Sequence, residues 1–214
     1  VDELGLMGTS LNNMYGSNKE VIRNISEHAD HITTSSSQLR ESSSDLLEEF
    51  RTIQEYMTNT AAVYKFINDQ TLLYINEGYT ETEIANMIQL PEELEKVWYT
   101  RQYYGTVSHN SKAVYEKYMG WYDGNPVHLA ELTPSDYAQK LVEYFGDTDA
   151  VLEKAKEDFA KGEYQWVAQI TNTLVFADPE NTDARYLCAD SLEQLGYQAE
   201  SGPWRSAYLC AAQE

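Results

Sequence analysis

The sequence has little positive charge, only two cysteines and only five prolines among its 214 residues. Lys and Arg number 15 against 35 Asp and Glu, which gives a formal net charge of −20. Binding to nucleic acid or to an anionic membrane needs clustered basic side chains, so this composition argues against both kinds of partner. No apolar run approaches the roughly 20 residues that cross a bilayer. No basic, apolar and small-residue pattern opens the chain, so we expect no secretory signal.

The two cysteines, Cys188 and Cys210, are too few for a metal site or a disulfide framework of their own. We expect them to be reduced and to behave as small apolar residues. Reduced cysteines and acidic charge fit the bacterial cytoplasm and the periplasm equally, so the sequence leaves the compartment open. Scarce proline and a three-to-four spacing of apolar residues favour helices. The sequence therefore predicts an all-α, multi-helix fold.

Residues 1–57 differ from the rest of the chain. The stretch up to Ser17 is polar, contains glycine and has no clear period, so we expect an irregular lead-in. From Lys19 onward two rows of residues repeat every seven positions, and this spacing is typical of a coiled-coil helix. The rows are Ile25, Ile32, Leu39, Leu46 and Ile53, and Ile22, Ala29, Ser36, Ser43, Phe50 and Met57. We predict a long helix that packs on a helical bundle or on a second copy, with its serine-rich middle as the weakest part.

Residues 58–214 are expected to form one domain of capped helices. The sequence predicts a helix at 61–76 that ends near Gly78 and a helix at 112–119 that ends at Gly120. Further helices are expected to start at the capping box Thr80–Glu83, at Pro91 and at Thr133–Pro134. In residues 147–214, Gly162-Glu-Tyr164 begins a repeat unit that Gly196-Tyr-Gln-Ala closes, and the two glycines lie 34 residues apart, the period of the tetratricopeptide helix pair. One and a half such units are too few for a free-standing array, so we expect this half to pack on the preceding helices.

Two short histidine clusters are candidates for chemistry. His28, Asp30 and His31 are metal-ligand types at close spacing, yet they lie inside the heptad pattern and are more simply solvated surface. His109 follows a glycine-containing loop and could transfer a proton, since histidine titrates near neutral pH. In the simpler interpretation Ser108 caps the helix and His109 hydrogen-bonds a neighbouring carbonyl. No phosphate loop, nucleophile elbow or His-Glu-x-x-His motif is present.

From about Val63 onward the sequence resembles the helical dimerisation domain of the metallo-β-lactamase-related alkyl sulfatases. The resemblance spans about 150 residues in one colinear order. The most specific matching motifs are Tyr104-Gly-Thr-Val-Ser-His-Asn110 and Gly120-Trp-Tyr-Asp-Gly-Asn-Pro126, supported by Tyr64-Lys-Phe-Ile-Asn-Asp-Gln-Thr71, Val175-Phe-Ala-Asp-Pro179 and Leu195-Gly-Tyr-Gln-Ala-Glu-Ser201.

The resemblance implies that this domain pairs two subunits of an enzyme that hydrolyses alkyl sulfate esters. In that family a separate N-terminal domain holds two zinc ions, and a sterol-carrier-like domain receives the alkyl tail. The resemblance also implies that His109 contacts the substrate sulfate and helps proton transfer to the leaving alcohol, with Tyr104 and Asn110 as substrate-binding residues. A homodimer is expected, through an aromatic-rich surface that includes the loop 121–126.

The sequence departs from the family pattern in its first part. The serine-rich coil stands where the family has its zinc domain, and the chain ends at Glu214, before a lipid-binding domain. We therefore expect a catalytically incomplete dimerisation module with no metal of its own. One alternative is a weak hydrolase with a metal at His28, Asp30 and His31. Another is a signalling or scaffold fusion assembled by the coil, which resembles the signalling coils of bacterial chemoreceptors.

Overall fold

A computed structural model describes residues 2–213. Its secondary structure within these residues consists of helices without a strand, so the predicted all-α class is confirmed. The helices are α1 (Glu3–Glu77), α2 (Glu81–Met87), α3 (Glu92–Glu95), α4 (Val107–Met119), α5 (Pro134–Phe145), α6 (Thr148–Ala160), α7 (Tyr164–Ala177), α8 (Thr182–Gln198) and α9 (Gly202–Ala211), with 3-10 turns at Trp98–Thr100 and Pro126–Ala130. Among residues 2–213 no helix is long and apolar enough to span a membrane.

The first helix is much longer than the sequence suggested. The predicted irregular lead-in up to Ser17 is wrong, because α1 begins at Glu3. The carboxylate of Asp2 accepts the backbone N–H of Gly5 at 3.2 Å and so caps the first turn. Between Gly16 and Gly78 the sequence has neither glycine nor proline. Nothing therefore interrupts the helix until Gly78, whose φ of +91° ends it.

The chain divides into two units, with the boundary between Thr58 and Asn59. In the first unit every described residue is exposed to solvent. The exposure includes both rows of heptad positions: Ile25 is 63% exposed and Leu39 is 70% exposed. The heptad pattern therefore forms a continuous apolar stripe on the surface of α1 rather than part of a core.

The second unit has a small core where the end of α1 meets α2 and α4. Ile67, Ile88 and Val107 are its buried members. The predicted capping box at Thr80 and Glu83 is confirmed, and the Thr80 N–H donates to the Glu83 carboxylate at 2.8 Å. That backbone hydrogen bond, together with one from the Thr80 hydroxyl, holds the pKa of Glu83 below its ordinary value. The cap fixes where α2 starts and so positions Ile88 in the core.

A larger core lies among α5 to α8. Its buried residues are Leu152, Ala155, Val167, Leu174, Ala184 and Leu187. Thr133 caps α5 with Pro134 in the first turn, and Gly120 ends α4 at a φ of +76°, as predicted. Helices α6 to α9 follow one another through short turns across residues 147–214. Their likeness to tetratricopeptide units stays a prediction.

Helices α8 and α9 approach each other closely at Gly196. A Cβ atom at this position would lie 2.8 Å from Cδ2 and 2.9 Å from Cγ of Leu209. Gly196 is in a regular helix, so its role is to make room and not to supply an unusual φ. The close contact fixes α9 on α8, and α9 carries part of the site described below.

We predict that Gly196→Ala destabilises the folded chain by about 1–3 kcal/mol, because the added methyl group forces Leu209 to move. Urea unfolding followed by tryptophan fluorescence measures the free energy of unfolding. Gly202→Ala is the matched control, since its Cβ would meet only the Tyr103 carbonyl oxygen at 3.6 Å. We expect the control to change stability by less than about 0.5 kcal/mol. Equal stability of both variants would contradict the packing argument.

Candidate functional site

The loop 101–105 is held against the start of α9, nearly 100 residues later in the chain. The Gly202 N–H donates to the Tyr103 carbonyl oxygen at 2.8 Å. The buried Ser201 hydroxyl donates to the Tyr104 carbonyl oxygen at 2.5 Å. Arg101 also forms an ion pair with Glu200. Because the loop has no regular secondary structure, these bonds are what give its carbonyl groups fixed partners.

The same loop leads into the first turn of α4. Thr106 is the N-cap, and its hydroxyl accepts the His109 N–H at 2.9 Å. The expectation that Ser108 caps this helix is therefore wrong, because Ser108 already lies inside the first turn. A Cβ on Gly105 would approach the Asn110 side-chain oxygen to 3.1 Å, so glycine allows the loop to pass close to Asn110. The cap places His109 and Asn110 beside the loop.

His109 is oriented by Trp204 on α9. The indole Nε1–H donates to Nδ1 of the imidazole at 3.0 Å. An indole nitrogen can only donate, so Nδ1 must carry the lone pair. In the neutral ring the proton then sits on Nε2, which is free to donate to another group. The two rings lie 5.9 Å apart at 52°. Trp204 thus sets both the tautomer and the direction of His109.

These residues border a cleft with a volume of about 710 Å³. Its lining combines aromatic rings with a few polar groups: Thr60, Val63, Tyr64, Tyr99, Thr100, Arg101, Tyr103, Tyr104, Gly105, His109, Asn110, Pro203 and Trp204. The Arg101 guanidinium lies 5.6 Å from the centroid of the Tyr103 ring. A cleft with a guanidinium, an imidazole N–H and apolar walls can accept an anionic head group joined to an apolar tail.

The three site residues proposed from the sequence, Tyr104, His109 and Asn110, line this one cleft. Sequence reasoning missed Arg101 and Trp204, which lie in the same lining. Trp204 lies in the first turn of α9, after the N-cap Ser201, and a serine cap is a helix-start signal that a sequence can show. Its contact with His109, 95 residues earlier, had no signal in a single sequence.

The alternative metal site on α1 is not formed. Among residues 2–213 there is no group of three or more His, Cys, Asp or Glu side chains that could hold a metal ion. His28 and His31 share one face of the helix, but Asp30 is two residues from one and adjacent to the other, and side chains at those spacings do not face each other. In the described residues His28, Asp30 and His31 therefore do not come together as one set of metal ligands.

A second feature is the exposed segment between α4 and α5. Asp123 organises it by accepting the Asn125 N–H at 2.9 Å and contacting Nδ1 of His128 at 2.6 Å. The hydrogen bond from Asn125, followed by that of His128, lowers the pKa of Asp123 from its ordinary value. We define the 121–137 surface by its exposed large apolar side chains, which are Trp121, Val127, Leu129, Leu132 and Tyr137. Of these, Val127, Leu132 and Tyr137 line one shallow depression, and grouped exposed apolar side chains are typical of interaction sites.

Comparison with known proteins identifies the family to which the chain is similar. Residues 80–214 match the family described as alkyl sulfatase dimerisation. The alkyl/aryl-sulfatase BDS1 of Saccharomyces cerevisiae is 58% identical over 162 residues, or 76% of this chain and 25% of that protein. A linear primary-alkylsulfatase of a Pseudomonas species is 51% identical over 76% of this chain and 24% of its own length.

The solved structure of the stereoselective inverting sec-alkylsulfatase Pisa1 from a Pseudomonas species superimposes with a TM-score of 0.74 at 45% identity. The match covers 76% of this chain and 26% of that one. The chain thus spans about a quarter of the length of the curated relatives it matches. The family match covers well over half of the chain, and the likeness to alkyl sulfatases holds in both sequence and fold. This chain therefore belongs to the alkyl sulfatase dimerisation family.

Proposed function

We propose that the chain acts as a homodimer-forming part of an alkyl sulfatase and that its cleft contacts the substrate. The observation that carries the second half of the proposal is the Trp204–His109 hydrogen bond, which engages Nδ1 and leaves Nε2 as the donor of an imidazole that lines the same cleft as Arg101. The names of the relatives indicate alkyl sulfate esters as the substrate class. Such an ester combines a single negative charge with an apolar tail, the two features the cleft can bind.

The polar groups of the cleft have complementary roles toward a sulfate ester. Arg101 supplies positive charge, and the guanidinium N–H groups that do not contact Glu200 can donate to a sulfate oxygen. His109 and Asn110 add neutral hydrogen-bond donors. When the ester bond breaks, the leaving alcohol oxygen gains negative charge, and the Nε2–H of His109 is the proton that can reach it. The rings of Tyr103 and Tyr104 offer apolar surface for the alkyl chain.

Zinc is implied by the family's catalytic domain, but the described residues of this chain do not fit it. They contain no cluster of His, Cys, Asp or Glu with the ligand count that zinc requires. We therefore assign no hydrolytic step to this chain alone. Its contribution would be to bind and orient the substrate and to supply a proton donor to a metal centre built by another part of the enzyme.

We predict that the full chain binds octyl sulfate and that Arg101→Gln weakens this binding by roughly tenfold or more, because a charge-assisted hydrogen bond contributes about 1.5–3 kcal/mol. His109→Ala should weaken it less, since it removes a neutral donor. Isothermal titration calorimetry below the micelle concentration gives the dissociation constants. Lys112→Gln is the matched control, because it removes the same charge from an exposed position outside the cleft lining.

Circular dichroism of Arg101→Gln serves as a second control, because Arg101 also pairs with Glu200. Titration with octanol separates binding of the tail from binding of the sulfate group. Equal affinity for octyl sulfate in the Arg101→Gln variant and the unchanged chain, with both folded, would contradict the proposed role of the cleft.

The dimer interface is proposed at the 121–137 surface. Membership of a dimerisation family supports self-association, and a two-fold dimer needs one self-complementary patch. The 121–137 surface has the composition of an interface core, since aromatic and aliphatic residues dominate and Trp121 is 71% exposed. The hydrogen bonds of Asp123 with Asn125 and His128 hold the segment in one shape before pairing, which lowers the ordering cost of association.

We predict that Trp121 and Leu129 become protected from hydroxyl-radical labelling as the concentration of the full chain rises, because dimerisation buries them. Mass spectrometry of the labelled peptides measures this residue by residue. Tyr186, which is 68% exposed on α8, serves as the internal control and should stay labelled. The double variant Val127→Glu and Leu129→Glu should lose the protection, since each added carboxylate would be buried without a partner. Labelling that is independent of concentration would place the interface elsewhere.

A scaffold function assembled by the coil is the second candidate, and the observation that favours it is the exposed heptad stripe of α1. The proposals for the cleft and for the 121–137 surface do not depend on which of the two functions is correct. They lie wholly within residues 59–214, the second unit of the chain.

A further inference from the structure

The apolar stripe on α1 needs a partner. Every described residue up to Thr58 is exposed, so this part of the helix gains no stability from tertiary packing. Most helices in proteins owe their stability to the packing of an apolar face, not to intrinsic propensity. Here the middle of the helix is also rich in serine, which is a mediocre helix former. We call the stripe the seam and define it by its two heptad rows, Ile22 to Met57 and Ile25 to Ile53.

The charges around the seam fit a second copy of the same chain. Opposite the seam, glutamates recur at the outermost heptad position: Glu20, Glu27, Glu41, Glu48 and Glu55. We call this heptad position the acidic row, and Thr34 is its one member without a charge. The positions that border the seam between residues 22 and 53 contain few of the residues Lys, Arg, Asp and Glu, with Arg40 and Glu49 as the exceptions. Two copies can therefore join their seams with their acidic rows turned away from each other, even though the chain carries a net charge of −20.

The sizes of the seam residues select the orientation. In the row that starts at Ile22, the central residues are small, whereas the row that starts at Ile25 is aliphatic throughout. A parallel pair would place Ser36 against Ser36 and Ser43 against Ser43, which leaves thin layers. An antiparallel pair places a residue of one row against a residue of the other. Large and small side chains then alternate across the contact, which fills the space between the helices.

We propose that residues 22–53 of α1 pair with the same residues of a second copy in an antiparallel coiled coil. Every antiparallel register of the two rows gives the small residues large partners, and the proposed register is the one that aligns residues 22–53 of both copies over their whole length. The facing pairs are Ile22 with Ile53, Ile25 with Phe50, Ala29 with Leu46, Ile32 with Ser43 and Ser36 with Leu39, each occurring twice by symmetry. This contact is separate from the 121–137 surface and lies outside the matched family region, which begins at residue 80. It goes beyond the proposed function because it specifies the partner, the direction and the register of the coil.

Cysteine cross-linking of the full chain tests the pairing and its direction. Chains with Ile22→Cys are mixed with chains carrying Ile53→Cys and oxidised, and the linked tryptic peptides are identified by mass spectrometry. We expect the mixed 22–53 disulfide to be the dominant product. Peptide mapping separates these links from any that involve Cys188 or Cys210. A dominance of 22–22 and 53–53 links would overturn the antiparallel proposal in favour of a parallel pair.

The matched control uses the opposite face of the helix. Glu20→Cys and Glu55→Cys are related by the same register but lie on the acidic row, so they should not cross-link. If they cross-link as well as the seam pair does, the contact is nonspecific and the proposal fails. Absence of any link from the seam cysteines, at concentrations where the chain is assembled through the 121–137 surface, would show that the seam does not bind a second copy.

A pair of charge variants tests whether formation of the 22–53 link depends on contact through the seam. Leu39→Glu places a carboxylate in the seam and should lower the yield of the 22–53 link by more than about tenfold, because the charge would be buried without a partner. Thr34→Glu adds the same charge on the acidic row and should leave the yield unchanged. Equal yields in the two variants would contradict the proposed facing pairs.

Discussion

The attachment of α9 to the loop 101–105 is the contact on which the candidate site depends. Two backbone carbonyls of the loop, at Tyr103 and Tyr104, are bound by Gly202 and Ser201. A loop without its own ladder of hydrogen bonds keeps one shape only if such groups have fixed partners. The same attachment brings Trp204 to His109. The close packing of α8 against α9 at Gly196 also holds α9 in place. The geometry of the cleft therefore depends in part on a contact outside the cleft.

Local signals in the sequence predicted much of the helical framework. The capping box at Thr80, the helix end at Gly120 and the helix start at Thr133 are each determined by a few neighbouring residues, none more than four positions apart. The cause of each feature is therefore visible in a single sequence. The lead-in was predicted wrongly because its glycines suggested a loop. A glycine inside a helix costs only about 1 kcal/mol of helix stability. The Asp2 cap and the long stretch after Gly16 that is free of helix breakers outweigh this cost.

The candidate site was predictable only in part. His109, Tyr104 and Asn110 came from the resemblance to a family, since nothing in their local pattern distinguishes a proton donor from a helix-start histidine. Arg101 and Trp204 could not be found from spacing, because a contact across 95 residues depends on how α8 and α9 fold back. The His28 cluster shows the reverse case, and its preferred interpretation as solvated surface agrees with the exposure of these residues. Its residues are near each other in sequence, but helical geometry turns Asp30 away from the two histidines.

The two proposed contacts, at the 121–137 surface and at the seam, would give the chain two ways to assemble. If one two-fold axis serves both the 121–137 surface and the seam, each contact raises the effective concentration of the other, and a closed dimer gains stability from both. If the two surfaces need different axes, each chain joins two neighbours and the product is an open array. The charge of −20 opposes an array more than a dimer, because every added chain increases the repulsion.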